Sequence, residues 1–208
     1  MSQNYLKIRN DYLHQAWART PEVLSVCLPA ELTAAGLRFQ AFGEDCLLTE
    51  AEITLNGAAA NGPEGLLIAL YASVVSDLPV RLNSLKSFKE LPNSMPYQGA
   101  FAANAEQILV PQVIGIHRQQ ERLAAVFSGR INVAPPSGDF SFTLYPLPRI
   151  PLYYIFHLPD EEFPASVTCL FAANAPDFMP LDGLADVAEY TGKKMIALLA
   201  GRHSDCQK

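Results

Sequence analysis

Ile150-Pro151-Leu152-Tyr153-Tyr154-Ile155-Phe156-His157-Leu158-Pro159 runs straight into Asp160-Glu161-Glu162-Phe163-Pro164, and Ser166–Phe171 follows. The two flanking runs are almost continuously apolar and rich in aromatic and β-branched residues, which predicts strands buried on both faces. Just upstream, Phe140-Ser141-Phe142-Thr143-Leu144 predicts a third strand. Proline punctuates this part of the chain: nine of the 16 prolines lie between Pro135 and Pro180. Between Ile131 and Pro159 only Asp139 and Arg149 are charged. Asp182–Leu199 then predicts a closing helix.

Upstream of this block the apolar period changes from two to about 3.6. Tyr5, Ile8, Tyr12, Leu13 and Ala16 predict an amphipathic helix over residues 3–18 with Trp17 at its end. Thr20-Pro21-Glu22 reads as a cap, a first-turn proline and an acid suited to the helix dipole, opening a short helix that ends near Pro29. Leu37–Phe42 and Cys46–Leu55 alternate, with Gly43-Glu44-Asp45 between them, and predict a hairpin. Asn61-Gly62-Pro63-Glu64 starts a helix whose stripe is Leu67, Leu70, Tyr71, Val74 and Val75. A further helical pattern runs from about Ala105 to Ser128, stopped by Gly129, with Pro111 as a kink or as the true first turn. Helices and strands come in blocks, so the expected class is α+β: one domain with a mostly antiparallel sheet packed against several helices. Residues 20–195 form its expected core, 1–19 an N-terminal helix and 200–208 a frayed tail.

The 208 residues suit one core, which grows to roughly 200–250 residues before splitting. Fifteen Lys and Arg against 21 Asp and Glu give a net charge of −6, which argues against nucleic acid as a partner. Only 17% of residues are charged while 50% are apolar, so the chain has ample surface to bury and a hint of a covered face. The opening residues lack a basic segment followed by an apolar one, no stretch suits a bilayer span, and the expected location is the cytoplasm. Cys27, Cys46, Cys169 and Cys206 have none of the close spacings of zinc or iron–sulfur ligands and read as reduced thiols, so no metal or cofactor is expected. No nucleophile elbow, phosphate loop or dinucleotide fingerprint occurs. Phe-Ala-Ala-Asn-Ala at 101–105 and 171–175 reads as a chance repeat, His14 and His117 as ordinary helix residues, and residues 135–139 as a loop.

The acid run is the most concentrated charge in the chain. On an extended backbone Asp160 and Glu162 share one face and Glu161 takes the other with His157. The carboxylates then suit a cation or an acid/base couple with His157; equally, they keep a hairpin tip solvated, with Pro159 at its corner.

Phe88-Lys89-Glu90-Leu91-Pro92 followed by Tyr97 and Phe101, and Leu147-Pro148-Arg149-Ile150-Pro151 followed by Asp160–Ala165, resemble the domain of unknown function 3786 family. Phe42-Gly43-Glu44-Asp45 and Leu66–Tyr71 look like its earlier segments, so the resemblance spans residues 20 to 195 or so. It implies a setting in anaerobic bacteria and archaea and no assigned activity. Relatives with an added cysteine-rich segment imply a link to iron–sulfur or corrinoid one-carbon chemistry, and this chain lacks that segment. Phe156-His157 also stands where many relatives carry Trp, and Ala172 where an Asp is usual. The resemblance raises Glu90, Tyr97, Arg149, His157, Asp160 and Glu162 as candidates for a polar site. Arg149 would pair with Glu90 or Glu162, either pinning the 88–101 segment structurally or lining a ligand cleft.

Three functions follow as expectations. The first is an accessory protein that binds a small polar ligand or a metabolic enzyme. The second is an enzyme on a small polar substrate, with Glu90, Asp160 or Glu162 as general base and Arg149 or Tyr97 orienting an anion. The third is a homo-oligomeric assembly module.

Overall fold

The computed structural model describes residues 3–133 and 137–201. Pro135 and Pro136 of the expected loop, and residues 202–208 with His203 and Cys206, lie outside the described residues. The chain opens with α1 (Gln3–Trp17) and α2 (Pro21–Cys27). The Thr20 side chain caps α2, with Pro21 in its first turn as the sequence predicts.

Five short strands follow: β1 (Glu31–Thr33), β2 (Gly36–Ala41), β3 (Glu44–Leu48), β4 (Ile53–Leu55) and β5 (Ala58–Ala59). They pair antiparallel in chain order. The hairpin turn is Phe42-Gly43 rather than Gly43-Glu44-Asp45. Backbone φ is +51° at Phe42 and +75° at Gly43, the tight turn whose twist suits paired strands, so Glu44 and Asp45 already belong to β3. A Cβ at Gly43 would lie 2.6 Å from Val126 Cγ1. The Phe42 N–H donates to the Pro146 carbonyl at 2.6 Å, which docks this hairpin tip on the second sheet.

Next comes α3 (Pro63–Val74), apolar on nearly every side and buried among α1, α7 and β4. Then β6 (Leu85–Ser87) leads into 3-10 turns at Phe88–Glu90 and Met95–Tyr97 and into α4 (Gln98–Phe101). The single helix expected over 105–128 is instead a chain of pieces. A π-helical turn (Ala102–Glu106) and a 3-10 stretch (Gln107–Gln112) precede α5 (Val113–Arg118) and α6 (Gln120–Val126). Pro111 has no N–H to give and sits within the 3-10 stretch, just ahead of α5.

The second sheet holds the predicted strands at its centre: β7 (Arg130–Ile131), β8 (Phe140–Leu147), β9 (Ile150–His157) and β10 (Ser166–Ala172), in the order β6-β10-β9-β8-β7 and all antiparallel. Register places Phe140, Phe142 and Leu144 opposite Phe156, Tyr154 and Leu152, so one face is a continuous aromatic and aliphatic floor. The rings of Phe140 and Phe156 stack at 4.6 Å. The other face is more polar than its sequence suggests: Ser141 and Thr143 are buried and bond to Asn132, and Tyr153 reaches Ser141. The last helix, α7 (Leu181–Ala200), packs against α3 and the π-helical segment. The class is α+β, as expected. The repeated pentapeptide is helical at 101–105 but starts in β10 and enters a turn at 171–175, so the two copies take different backbone conformations.

Candidate functional site

The 88–101 segment leaves the second sheet at the end of β6 and the 147–165 segment runs through β9, with β10 between those two strands. Phe88 stacks on Phe101 at 4.3 Å, and both rings lie within 6 Å of the Phe171 ring, at 5.9 and 5.7 Å. The six polar residues singled out from the sequence are distributed over this frame.

Glu90 turns back on its own 3-10 turn. The backbone N–H and the hydroxyl of Ser87 donate to Glu90 Oε2 at 2.8 and 2.6 Å, and these bonds hold its carboxyl below the usual range. Tyr97 is 48% exposed at the end of the second 3-10 turn.

Arg149 does not pair with Glu90 or Glu162. Its Nε donates to the Cys27 carbonyl at 2.7 Å, Nη1 to Leu78 at 2.8 Å and Nη2 to Val26 at 3.0 Å, while its backbone N–H donates to Tyr71 Oη. It therefore satisfies the carbonyls at the C-terminus of α2, where a cation also suits the helix dipole. The acid run lies at the other end of β9, about 25 Å away at ~3.3 Å per residue.

The acid run is not extended. Asp160 Oδ1 accepts the N–H groups of Glu162 and Phe163 at 2.8 and 2.7 Å, so the alternation expected for Asp160, Glu161, Glu162 and His157 gives way to a side-chain-capped turn. Those two donors hold the Asp160 carboxyl below its ordinary range. Glu162 is exposed, and His157 Nδ1 lies 3.1 Å from Ser166 Oγ. Glu90, Tyr97, Arg149 and Glu162 therefore do not surround one cavity.

A different cleft stands where the segment carrying Tyr97 meets α7. The wide π-helical turn swings Glu106 towards β10, where its Oε1 accepts the Cys169 N–H at 2.9 Å. That donor lies beyond the end of β6, whose pairing with β10 stops at Leu170, so no strand reaches it. Burial pushes the Glu106 carboxyl up despite this bond. Nearby, burial also raises the Cys169 thiol and the Tyr154 phenol well above their ordinary ranges, so this thiol stays protonated and inert.

On the outer side of the same segment, Tyr97, Ala100, Phe101 and Asn104 face Asp182, Ala185, Asp186 and Glu189 across a cavity of about 120 Å³. Ala100 and Ala185, small residues on the two walls, leave the space. Asp182, Asp186 and Glu189 stand at i, i+4 and i+7, one stripe of α7. Glu189 is paired with Lys193 at 2.5 Å, and Asp182 Oδ1 accepts the Gly183 N–H. Asp186 is exposed at the edge of the cavity and has neither a hydrogen bond nor an ion pair to the protein among the described residues. Partial burial, then the charges of Glu189 and Asp182, push its carboxyl up. Among the described residues no three His, Cys, Asp or Glu side chains are arranged to hold a metal ion. The chemistry of this cleft is an excess of carboxylate against an aromatic wall and an amide, which stabilises an organic cation.

The family model for "Domain of unknown function (DUF3786)" matches residues 20–194. The chain belongs to this DUF3786 family. No curated protein and no solved structure matches it. Within the family match, the 88–101 and 147–165 motifs contribute Tyr97 to the cleft and Arg149 to the fold. The α7 carboxylates were readable as a one-face stripe in the sequence, but their opposite wall comes from a segment about 80 residues earlier, which no local pattern indicates. Among the described residues no helix is long and apolar enough to cross a membrane.

Proposed function

We propose that this DUF3786 protein is a non-catalytic binding protein whose α4–α7 cleft receives the head group of a small organic cation, an ammonium or a guanidinium. The observation that carries this reading is the cleft itself: Asp182, Asp186 and Glu189 on one stripe of α7 face Tyr97 and Asn104, and Asp186, exposed at its edge, makes no bond to the protein among the described residues. A carboxylate destabilised by its neighbours gains most from an incoming positive charge. An aromatic face adds roughly 0.5–2 kcal/mol to that attraction. The cavity admits a head group and a few methylenes, so the rest of the ligand extends past Tyr97 into solvent. The metabolic setting in this proposal is the one the resemblance implies: an accessory role beside an anaerobe's iron–sulfur or corrinoid enzymes.

Isothermal titration calorimetry with agmatine tests the cleft, with succinate as the anionic control. Agmatine is expected to bind with a dissociation constant of about 0.1–1 mM and succinate not at all. Asp186→Asn is expected to weaken agmatine at least about tenfold, the loss of one charge-assisted contact. Binding also tightens as the pH rises and Asp186 gives up its proton, because only the carboxylate attracts the cation. Equal heats for wild type and Asp186→Asn would remove the proposal.

A further inference from the structure

The far end of α7, about 20 Å along the helix from Asp186, carries a second concavity that shares no residue with the cleft. Gly115, Arg118 and Gln119, in and just after α5, face Ile196, Leu199 and Ala200 of α7 across a groove of about 560 Å³ with mostly apolar walls. Gly115 keeps the groove open. This glycine has an ordinary helical backbone, so no left-handed turn requires it. A Cβ there would meet nothing nearer than Leu199 Cδ1, at 3.8 Å. Alanine would therefore fit and would favour the helix more. What the missing side chain supplies is space between the two helices.

Arg118 and Gln119 also line a polar recess of about 360 Å³, formed where α5 breaks into α6. Its charged residues are Arg118, Arg122, Glu121 and, when protonated, His117. Arg122 Nη1 donates to Gln119 Oε1 at 2.9 Å and to the Leu198 carbonyl at 3.1 Å, so this arginine also meets the carbonyl end of α7. His117 sets its ring against Phe140, with the centroids 4.6 Å apart. Glu121 is exposed and forms no ion pair among the described residues. Arg118 has neither a hydrogen bond nor an ion pair among the described residues. Two arginines against one carboxylate leave the recess with an excess of positive charge. In the same wall, Gln120 Oε1 is buried with no partner among the described residues.

We infer that groove and recess together bind an aliphatic carboxylate, its hydrocarbon chain between α5 and α7 and its head group on Arg118. A guanidinium with all its donors unclaimed suits an anion that accepts two parallel N–H bonds, and a carboxylate does so. The exposed ion pair contributes little by itself in water, so affinity comes from burying the chain against Gly115, Ile196 and Leu199. The Gln120 amide, turned either way, gives the head group one more donor or acceptor. Chain and charge are both needed, and neither half of the site holds a ligand alone.

The test titrates octanoate, 1-octanol and acetate into the ¹⁵N-labelled full chain. Octanoate is expected to shift amide resonances of residues 113–122 and 195–200 with a dissociation constant of about 0.1–1 mM. 1-Octanol, which has the chain without the charge, is expected to bind at least about fivefold more weakly, and acetate to leave these resonances unmoved. Gly115→Leu fills the groove and is expected to weaken octanoate at least about tenfold. Arg118→Gln, an exposed position that leaves the core intact, is expected to weaken octanoate at least about fivefold and 1-octanol not at all. Octanoate shifts that fall elsewhere, or that either variant leaves unchanged, would overturn the inference, as would equal binding of octanoate and 1-octanol. Shifts of the same amides on concentrating the protein without ligand would make the occupant a second copy of this chain and also overturn it.

Discussion

Arg149 and Asp186 are both single charges in a largely apolar fold, and they are opposites. Arg149 directs all three guanidinium nitrogens at carbonyls of two other segments, so its donors are taken up in joining α2, the turn after α3 and the β8–β9 turn. Asp186, exposed at the edge of its cleft, is opposed by the charges of Glu189 and Asp182 and favoured by that of Lys193, and it has no bond partner in the protein among the described residues. The first arrangement lowers the energy of the folded chain by itself. The second leaves a carboxylate in water beside two others, a repulsion that an incoming cation would relieve. A charge with every bond made is evidence of architecture, and a charge left wanting in a concave place is evidence of a ligand.

The largest expected effect belongs to the architectural side. Phe88→Ala removes a ring stacked on Phe101 and leaves a cavity over Phe171, and chemical denaturation should show a loss of about 3–5 kcal/mol. Arg149→Met should lower stability by about 2–3 kcal/mol, through carbonyls that lose charge-assisted donors. The same variant should accelerate amide exchange in α2, while agmatine binding stays unchanged. Loss of agmatine binding in Arg149→Met would erase the distinction between the two charges. Smaller again is Glu106→Ala, which strands the Cys169 N–H and should cost about 1–3 kcal/mol, whereas Glu106→Gln keeps an acceptor there and should cost less.

The smallest effect is a pH dependence of opposite sign to the usual carboxylate. The Asp186 carboxyl is raised, so the folded chain holds its proton more tightly than the unfolded chain does. That contribution is complete below the ordinary carboxylate pKa and is lost as the pH rises through the raised one. Asp186→Asn should therefore match wild type in acid and be the more stable of the two at alkaline pH. Thermal melts across that range would show the two diverge as the pH rises, and a variant less stable at every pH would contradict it.

Much of the fold was legible because its longest elements have strong periods. α1, α3 and α7 show helical stripes, and β8, β9 and β10 are apolar runs bounded by Pro, Gly or acids. Thr20-Pro21 marked the start of α2 to the residue. The strands that escaped, β1, β4, β5, β6 and β7, have only two or three residues and take their identity from the neighbour they pair with; the run Cys46–Leu55, expected as one arm of a hairpin, turns back on itself to form β3 and β4. The 98–126 region escaped for a different reason. Its π-helical and 3-10 turns keep the apolar spacing of a helix while changing its pitch, which composition does not report. The candidate site divided in the same way. Tyr97 was legible as part of a motif, but the expected partners of Arg149 were wrong because backbone carbonyls, invisible to side-chain pattern, claimed its donors. Asp160 likewise closes its own turn, as residue types at turns often do.

The most direct measurement is the titration of the Asp186 carboxyl carbon by ¹³C NMR, with and without agmatine. The binding proposal predicts a midpoint above the ordinary aspartate range in the free protein that falls when agmatine is added, while the Asp160 midpoint stays put. A midpoint at Asp186 that agmatine does not move would contradict it.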